Sequence, residues 1–550
     1  MQAFCNDPSA RGLMRPAAYL LTCLGVCLWA TSAPAQEAPP APNALIAAAE
    51  PDANGYLVLP LPKPGPGETL GAFESRKNQV KTKVMNALRA ELPLGENLLL
   101  VDRYFNNFEF RTLTQSTPEA LEALPKARFD FFKYYIFVCK NQETHQEMIK
   151  LTFAMMQQIA MNNFHPVVRY NAMIMIGDLN EQEVLRVGAT PLLPEPYAAA
   201  IPFMVDRISD PKTPDPVRIA ALVGLIRHLE WEPFRAPEKP IPAGTRTTML
   251  STLIKLAETK DPPAGRTVVG QQWLRRRAIE ALGLAGAVTA QPNAIATIEK
   301  VLKDTSEPTS VRCAAALALG RMNVPANHKI DANELARILA QLATSSVVGE
   351  FDRLAKMDSI EKEHQAVYAR LGTGIGGGGE GYGGGVGGGQ VPGVDGGFGG
   401  AGQFQGEDPK AYRLDAVRKR LRYHLYCVQT GLGHPLDKAG TPPNPANRKG
   451  VQRLATVPAE RKTAEEMLAG VNRLADLVEK NKIDLWQLEN DMRAESKSLA
   501  GAIARAIPAP AAAPANPGAP GQPAPMGVAP TVKPAAGDED LLGGAAPGKK

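Results

Sequence analysis

The sequence has few of the residues that mark a disulfide-rich or metal-binding protein. It contains six cysteines and seven histidines in 550 residues. The cysteines beyond residue 35 are Cys139, Cys313 and Cys427, and this odd, widely spaced set is no disulfide framework. Because all three lie in apolar helical patterns, we expect buried thiols. No histidine pairs with a histidine, cysteine or acid at a metal-ligand spacing, so we expect no metal and no cofactor.

Motifs of common enzymes are also missing. The chain has no Gly-x-Ser-x-Gly motif and no Gly-x4-Gly-Lys-Ser/Thr loop. Gly372-x-Gly374-x-x-Gly377 has the spacing of a dinucleotide-binding loop, but it lies in a polyglycine run, with no predicted strand before it and no helix after it. The net charge of +5 is too small for this length to indicate nucleic-acid binding. We therefore expect a protein that is not an enzyme and has no nucleic-acid partner.

Long apolar runs are absent except near the N-terminus. Arg11 and Arg15 precede the apolar residues 17–30, and Ala33-Pro34-Ala35 has the small-x-small pattern of a cleavage site. The run is short for a membrane span. We predict a signal peptide at 1–35, cleaved after Ala35, and an exported protein of the periplasm or cell envelope with no transmembrane helix after cleavage. An uncleaved anchor is the alternative, and translation starting at Met14 is a second open point.

What the chain does contain is an internal repeat. Four segments share an aliphatic residue, an Arg and, three residues after the Arg, an Ala: Val168-Arg169-x-x-Ala172, Val217-Arg218-x-x-Ala221, Leu274-Arg275-x-x-Ala278 and Val311-Arg312-x-x-Ala315. In three of them a glycine follows nine positions after the aliphatic residue, at Gly177, Gly283 and Gly320; the second segment has Ile226 there and Gly224 two places earlier. Recurrence at spacings of 49, 57 and 37 residues indicates a repeat architecture.

Each segment is predicted to be the second helix of a pair. We predict first helices at 143–162, 197–208, 247–259 and 293–303, and second helices at 167–179, 217–229, 272–286 and 310–322, separated by turns that contain Pro or Asp. The Ala would let a neighbouring helix come close, and the Gly would mark a backbone crossing or a helix end. We expect the Arg to meet a carboxylate or a helix C-terminus in the next pair. One pair cannot bury its own apolar face, so the pairs should stack.

These residues resemble the HEAT family, whose second helix has a Pro or Asp before Val-Arg and then Ala and a Leu-Gly ending. The matching segments are His165-Pro166-Val167-Val168-Arg169, Asp215-Pro216-Val217-Arg218 and Glu307-Pro308-Thr309-Ser310-Val311-Arg312, while the copy at Leu274 lacks the Pro. The resemblance covers about residues 143–345. It implies an all-α fold, a HEAT/armadillo-like α-solenoid of stacked antiparallel helix pairs that binds protein partners. It identifies no partner and no reaction.

Composition divides the remainder of the chain. We predict a Pro/Ala-rich linker at 36–67, an N-terminal helical cap at 68–142, a charged helix at 346–371, a Gly-rich flexible loop at 372–408, C-terminal helices at 409–500 that complete or cap the solenoid, and a disordered Pro/Ala-rich tail at 501–550. The aromatic run 128–140 is expected to be packed core. Val417-Arg418 indicates that 412–430 is the second helix of a fifth pair begun at 334–342. The Gly-rich tract would then be a loop inserted in that pair, or else an interdomain linker.

The sequence thus predicts an exported, non-enzymatic scaffold that binds an unidentified protein in the cell envelope. Two alternatives remain. Arg418, Lys419, Arg420 and Arg422, with interleaved tyrosines, would suit an anionic polymer. Catalytic side chains from distant repeats would also form an active site that no local motif reveals.

Overall fold

The structure is a computed structural model. It describes residues 48–187, 190–235, 239–288, 291–325, 330–373, 409–433, 450–480 and 483–506. The predicted signal peptide, most of the Gly-rich loop and residues 507–550 of the predicted tail lie outside the described residues, so the predictions made for them stay predictions. The predicted start of the disordered tail at 501 is wrong, because residues 501–505 are helical. Within the described part the fold is all-α, apart from short two-stranded β-hairpins.

The helices and strands follow in chain order. The helices are α1 (Leu70–Leu88), α2 (Leu98–Tyr104), α3 (Phe110–Thr112), α4 (Pro118–Phe131), α5 (Gln142–Met161), α6 (Pro166–Asp178), α7 (Ala200–Ser209), α8 (Asp215–Trp231), α9 (Ala243–Glu258), α10 (Val268–Val288), α11 (Pro292–Lys303), α12 (Thr309–Arg321), α13 (Ala332–Thr373), α14 (Pro409–Leu432), α15 (Gly450–Leu454), α16 (Pro458–Glu479) and α17 (Leu485–Arg505). The strands are β1 (Glu50–Pro51), β2 (Leu57–Val58), β3 (Asn180–Gln182), β4 (Leu185–Val187), β5 (Thr190–Leu192) and β6 (Glu195–Pro196), which pair antiparallel as β1–β2, β3–β6 and β4–β5.

The end of the predicted linker is part of the folded body. β1 and β2 form a hairpin in which the Asp52 carboxylate accepts hydrogen bonds from the backbone N–H groups of Asn54 and Tyr56, at 2.8 and 2.9 Å. The backbone N–H of Leu57 donates to the Asn163 carbonyl at 2.8 Å, and Leu59 is fully buried. The segment therefore packs on the helices instead of leading loosely to them, because the Asp52 turn folds apolar residues back onto the body.

The aromatic run 128–140 divides between core and surface. Two π-helical turns, Phe105–Glu109 and Phe132–Ile136, extend α2 and α4. A π-turn shifts the face that a helix buries, so the core takes Phe131, Phe132 and Tyr135, while Phe129, Tyr134 and Phe137 are exposed. The expectation of a packed aromatic core is therefore confirmed for only part of the run.

The four predicted helix pairs are present as α5/α6, α7/α8, α9/α10 and α11/α12, and the two helices of each pair contact one another. The second helices also contact each other in consecutive order, α6 with α8, α8 with α10, α10 with α12, and α12 with α14. The first helices from α7 to α13 touch in the same order, but less extensively. The helix order is therefore that of pairs added one after another.

The repeat glycines lie where second helices touch through their backbones. A Cβ built on Gly177 would stand 2.7 Å from the Gly224 Cα of the next second helix. One built on Gly283 would stand 2.6 Å from the Ala318 Cα, which makes Ala318, seven positions into its repeat, the partner of this crossing. In both crossings the ninth position of one repeat meets the seventh position of the next. Gly224 is the seventh position of the second repeat, which explains why the segment with Ile226 carries its glycine two places earlier. A Cβ added to Gly320 would be 2.1 Å from the Thr430 carbonyl oxygen of α14.

The repeat arginines bind the end of the first helix within their own pair. The Nε–H groups of Arg169, Arg218, Arg275 and Arg312 donate to the carbonyls of Ala160, Ile208, Ala257 and Leu302, at 3.0, 3.1, 2.9 and 3.2 Å. The expectation that these side chains would reach the next pair is wrong for this contact. It is confirmed for the terminal nitrogens of Arg275, which donate to Glu307 in the turn of the next pair at 2.7 Å. The turn between the helices is short enough that the arginine at the start of the second helix lies beside the last carbonyls of the first.

The fifth pair differs from its prediction in one element. The charged helix at 346–371 is not separate, because α13 runs unbroken from Ala332 to Thr373 with no proline to end it. As predicted, α14 packs on both α12 and α13. Its repeat arginine, Arg418, donates instead to the carbonyl of Lys480 at 2.6 Å, at the C-terminus of α16. The helices α16 and α17 pack on one another and on α13.

Candidate functional site

The basic residues of α14 are mostly engaged within the molecule. Arg418 caps α16, Arg420 Nε donates to Glu350 Oε1 at 2.8 Å, and Arg422 forms two hydrogen bonds with Glu479, at 2.7 and 2.9 Å. Lys419 is exposed, and the structure gives it no hydrogen bond or ion pair. Three of the four side chains of the suggested polyanion patch are thus held by intramolecular contacts, which leaves little free charge for a polymer.

The second helices share a variable stripe of two positions, four residues apart on one helix face. It is formed by the second and sixth positions after the aliphatic residue of each repeat. In chain order these positions are Tyr170 and Ile174, Ile219 and Val223, Arg276 and Glu280, Cys313 and Leu317, and Lys419 and Tyr423. Val223 is 38% exposed, whereas Cys313 and Leu317 are buried. The stripe therefore changes from apolar to charged along the array, and neighbouring side chains cover it at α12.

A pocket of about 260 Å³ lies on this stripe. It is lined by Arg276, Arg277 and Glu280 of α10 and by Tyr423 of α14. The Tyr423 hydroxyl is 3.4 Å from Glu280 Oε1, so side chains from α10 and α14 meet across α12, on which both helices pack. This arrangement joins the third and fifth repeats at a single site.

The charges around the pocket are unevenly compensated. Arg277 binds Glu280 Oε2 at 2.7 Å, and its guanidinium lies over the Trp273 ring at 5.4 Å. Arg276 has no carboxylate partner among the described residues, and its buried Nε has no hydrogen-bond acceptor. A half-buried guanidinium without a counter-ion is costly.

Three titratable neighbours of Arg276, all on α14, are uncharged near pH 7. Burial, with smaller contributions from Cys427 and Glu280, raises the pKa of Tyr423 well above its ordinary value. Burial likewise lowers the pKa of His424 to about 4 against the opposing charge of Glu350, and raises the pKa of Cys427 to about 12. The only acid lining the pocket, Glu280, is already paired. The lining residues therefore carry a net charge of +1.

A second polar cluster lies within the N-terminal aromatic core. Glu109 Oε1 accepts hydrogen bonds from the hydroxyls of Tyr104 and Tyr135, at 2.6 and 2.7 Å. Burial, the largest cause, and the nearby Glu109 raise the pKa of both tyrosines. The carboxylate and both phenols are satisfied by one another, and they connect the two π-turns. This arrangement stabilises the core and offers no free donor to a ligand.

The cysteines lie largely as expected. Cys313 and Cys427 are buried, Cys139 is half-buried, and all three are free thiols. Burial raises the pKa of Cys139 to about 12, with a further contribution from Glu183. Among the described residues no group of three His, Cys, Asp or Glu side chains is placed to hold a metal ion. In the same part of the chain, none of the helices is long and apolar enough to cross a membrane.

Sequence reasoning did not single out Arg276 or the pairing of Glu280 with Tyr423. Arg275-Arg276-Arg277 looks like a uniform basic run, yet the three side chains have three different environments. Two signals were available: Arg276 and Glu280 are four residues apart on one helix face, and Tyr423 occupies the same repeat position as Glu280. Comparisons with known protein families, with curated proteins and with solved structures find no match.

Proposed function

We propose that the protein is an exported, non-enzymatic HEAT-like α-solenoid that acts as a protein-binding scaffold in the cell envelope. The observation that carries the proposal is the recurrence, in successive helix pairs, of the same two contacts: an arginine on the end of the first helix, and small residues where second helices touch. Recurrent contacts of this kind are what a stack of equivalent two-helix units requires.

The unequal packing of the two helix layers supports a curved array. Second helices approach one another to backbone contact at Gly177, Gly283 and Gly320, whereas first helices touch less extensively. When one layer of a stack is spaced more closely than the other, the stack bends toward the closer layer. The second helices would therefore line the concave side, and their variable stripe would face a bound partner.

Site-specific photo-crosslinking in cells of the source organism tests this function. A photoreactive residue replaces Val223, on the stripe of α8, or Ser251, exposed on the first helix α9. We expect a defined crosslinked protein from position 223 and little from position 251. Equal crosslinking from the two positions, or none from position 223, would contradict binding through the second helices. Fractionation and N-terminal sequencing test the export step, for which we expect a mature chain that begins at Gln36.

A further inference from the structure

We propose that the pocket formed by Arg276, Arg277, Glu280 and Tyr423 binds the side-chain carboxylate of an Asp or Glu of the partner protein. This inference rests on the proposed scaffold function and names the chemistry of one contact within it. The carboxylate would accept hydrogen bonds from the terminal nitrogens of Arg276 and from the Tyr423 hydroxyl.

Arg276 is the arginine of the pocket that lacks an anionic partner among the described residues. Its neighbour Arg275 donates to the Ala257 carbonyl and donates two hydrogen bonds of 2.7 Å to the Glu307 carboxylate, and Arg277 is paired with Glu280. The structure gives Arg276 no such partner, although it lies among groups that are partly removed from water. An incoming carboxylate would provide the missing counter-charge and form charge-assisted hydrogen bonds.

Tyr423 is placed to supply a second donor. Its hydroxyl is 3.4 Å from Glu280 Oε1, longer than the ~2.7–2.8 Å typical of an O–H···O hydrogen bond. Glu280 is already held by Arg277. The Tyr423 hydroxyl also faces the Cys427 thiol, which is a weak hydrogen-bond acceptor. An incoming carboxylate is a stronger acceptor than either present partner geometry offers, so it would compete for the hydroxyl hydrogen, and Arg277 partly offsets the charge of Glu280.

The size and charge of the pocket favour one carboxylate. Its volume of about 260 Å³ is just below the ~300–1,000 Å³ typical of small-molecule sites, but it is several times the ~30 Å³ share of one water molecule. An acidic side chain fits this space. With a net lining charge of +1, the pocket matches the single charge of a carboxylate better than the higher charge of a phosphate ester.

Calorimetric titration of the full mature chain with capped peptides tests the inference. The probes are acetyl-Gly-Glu-Gly-amide, the matched acetyl-Gly-Gln-Gly-amide and free glutarate, which represents a small dicarboxylate. We expect the Glu peptide to bind, the Gln peptide to bind at least about tenfold more weakly, and glutarate to bind no better than the Glu peptide.

Two charge-matched variants locate the binding. Arg276→Gln should weaken binding of the Glu peptide by about tenfold or more, whereas Lys83→Gln removes the same charge from an exposed position of α1 and should leave affinity within about twofold. Thermal unfolding checks that both variants are folded. Equal loss in the two variants, equal binding of the Glu and Gln peptides, a preference for glutarate, or no binding of any probe would each overturn the inference.

The outcomes separate this inference from the scaffold function. If position 223 crosslinks to a partner but the Glu peptide does not bind, the scaffold function stands and the pocket assignment fails. If the peptide binds through Arg276 but no partner is crosslinked, the scaffold function fails, and with it the assignment of the carboxylate to a partner protein.

Discussion

Glycine has two different roles in the helices of this protein. At Gly320 the absent side chain makes room for the backbone of α14, whereas a Cβ on Gly349 of α13 would meet nothing within 4 Å. Gly320 therefore has a low helix propensity but permits the close crossing of α12 and α14. Gly349 has the same unfavourable helix propensity without any packing contact to offset it.

Alanine substitution at these two glycines should change stability in opposite directions. Gly320→Ala would place its Cβ 2.1 Å from the Thr430 carbonyl oxygen, so the helices must shift, and we expect a loss of about 1–3 kcal/mol. Gly349→Ala should gain up to about 1 kcal/mol from helix propensity. Urea unfolding measures both. If both substitutions raised the free energy of unfolding, the crossing of α12 and α14 would not be as close as described.

The Arg275–Glu307 pair is the most buried of the ion pairs made by the repeat arginines, with side-chain exposures of 3% and 2%. Arg275→Met should lower the free energy of unfolding by about 3–5 kcal/mol, because it leaves Glu307 with only Lys260 as a counter-ion. Lys300→Met is the control: its pair with Glu258 is exposed, and its loss should cost at most about 1 kcal/mol. Similar losses of unfolding free energy in Arg275→Met and Lys300→Met would contradict the role assigned to the burial of the Arg275–Glu307 pair.

The pH dependence of stability should also report on Glu307. Burial alone would raise its pKa, but hydrogen bonds from Arg275 and Lys260, together with their charges, outweigh burial and lower the pKa below the ordinary value of 4.5. A lowered folded-state pKa stabilises the protein fully above about pH 4.5, and this stabilisation is lost as the pH falls through the folded-state pKa. The difference in unfolding free energy between the wild type and Glu307→Gln should therefore be constant near pH 7 and shrink below about pH 4.5. A difference that grows on acidification would contradict this sign.

For the individual helices, the residues that start and end helices predicted most of the fold. Pro and Asp at turns such as Pro166 and Asp215 marked helix starts to within a few residues. The extent of α13 was not predictable in the same way, because its packed first half and the exposed residues 355–363 differ in composition but are not separated by a breaker. The pocket was hidden for a related reason: Glu280 and Tyr423 are 143 positions apart, and no local pattern reports their contact.

The position of α14 predicts how the chain behaves when it is cut. Because α14 packs on α12 and α13, the segments before and after the Gly-rich tract share one core. A specific protease site inserted between residues 380 and 400, then cleaved in the folded protein, should leave the two fragments associated on gel filtration. They should unfold together in one transition. Separation of the fragments, with two independent transitions, would support an interdomain linker instead of a loop inserted in the fifth pair.

For the molecule as a whole, we propose that the helix pairs stack in one direction, with their second helices along one side. Each second helix contacts the next, and consecutive helices in such packing lie ~8–10 Å apart. Distance along the array should therefore rise with repeat number. In a closed helical bundle the first and last second helices would return toward one another.

Distances between pairs of spin labels would measure how far apart the second helices lie along the array. Labels at Tyr170, Arg276 and Lys419 occupy the same repeat position in α6, α10 and α14. We predict about 16–20 Å between 170 and 276, two helix steps apart, and a clearly longer distance, up to about 40 Å, between 170 and 419, four steps apart. A 170–419 distance equal to or shorter than the 170–276 distance would contradict a stacked array.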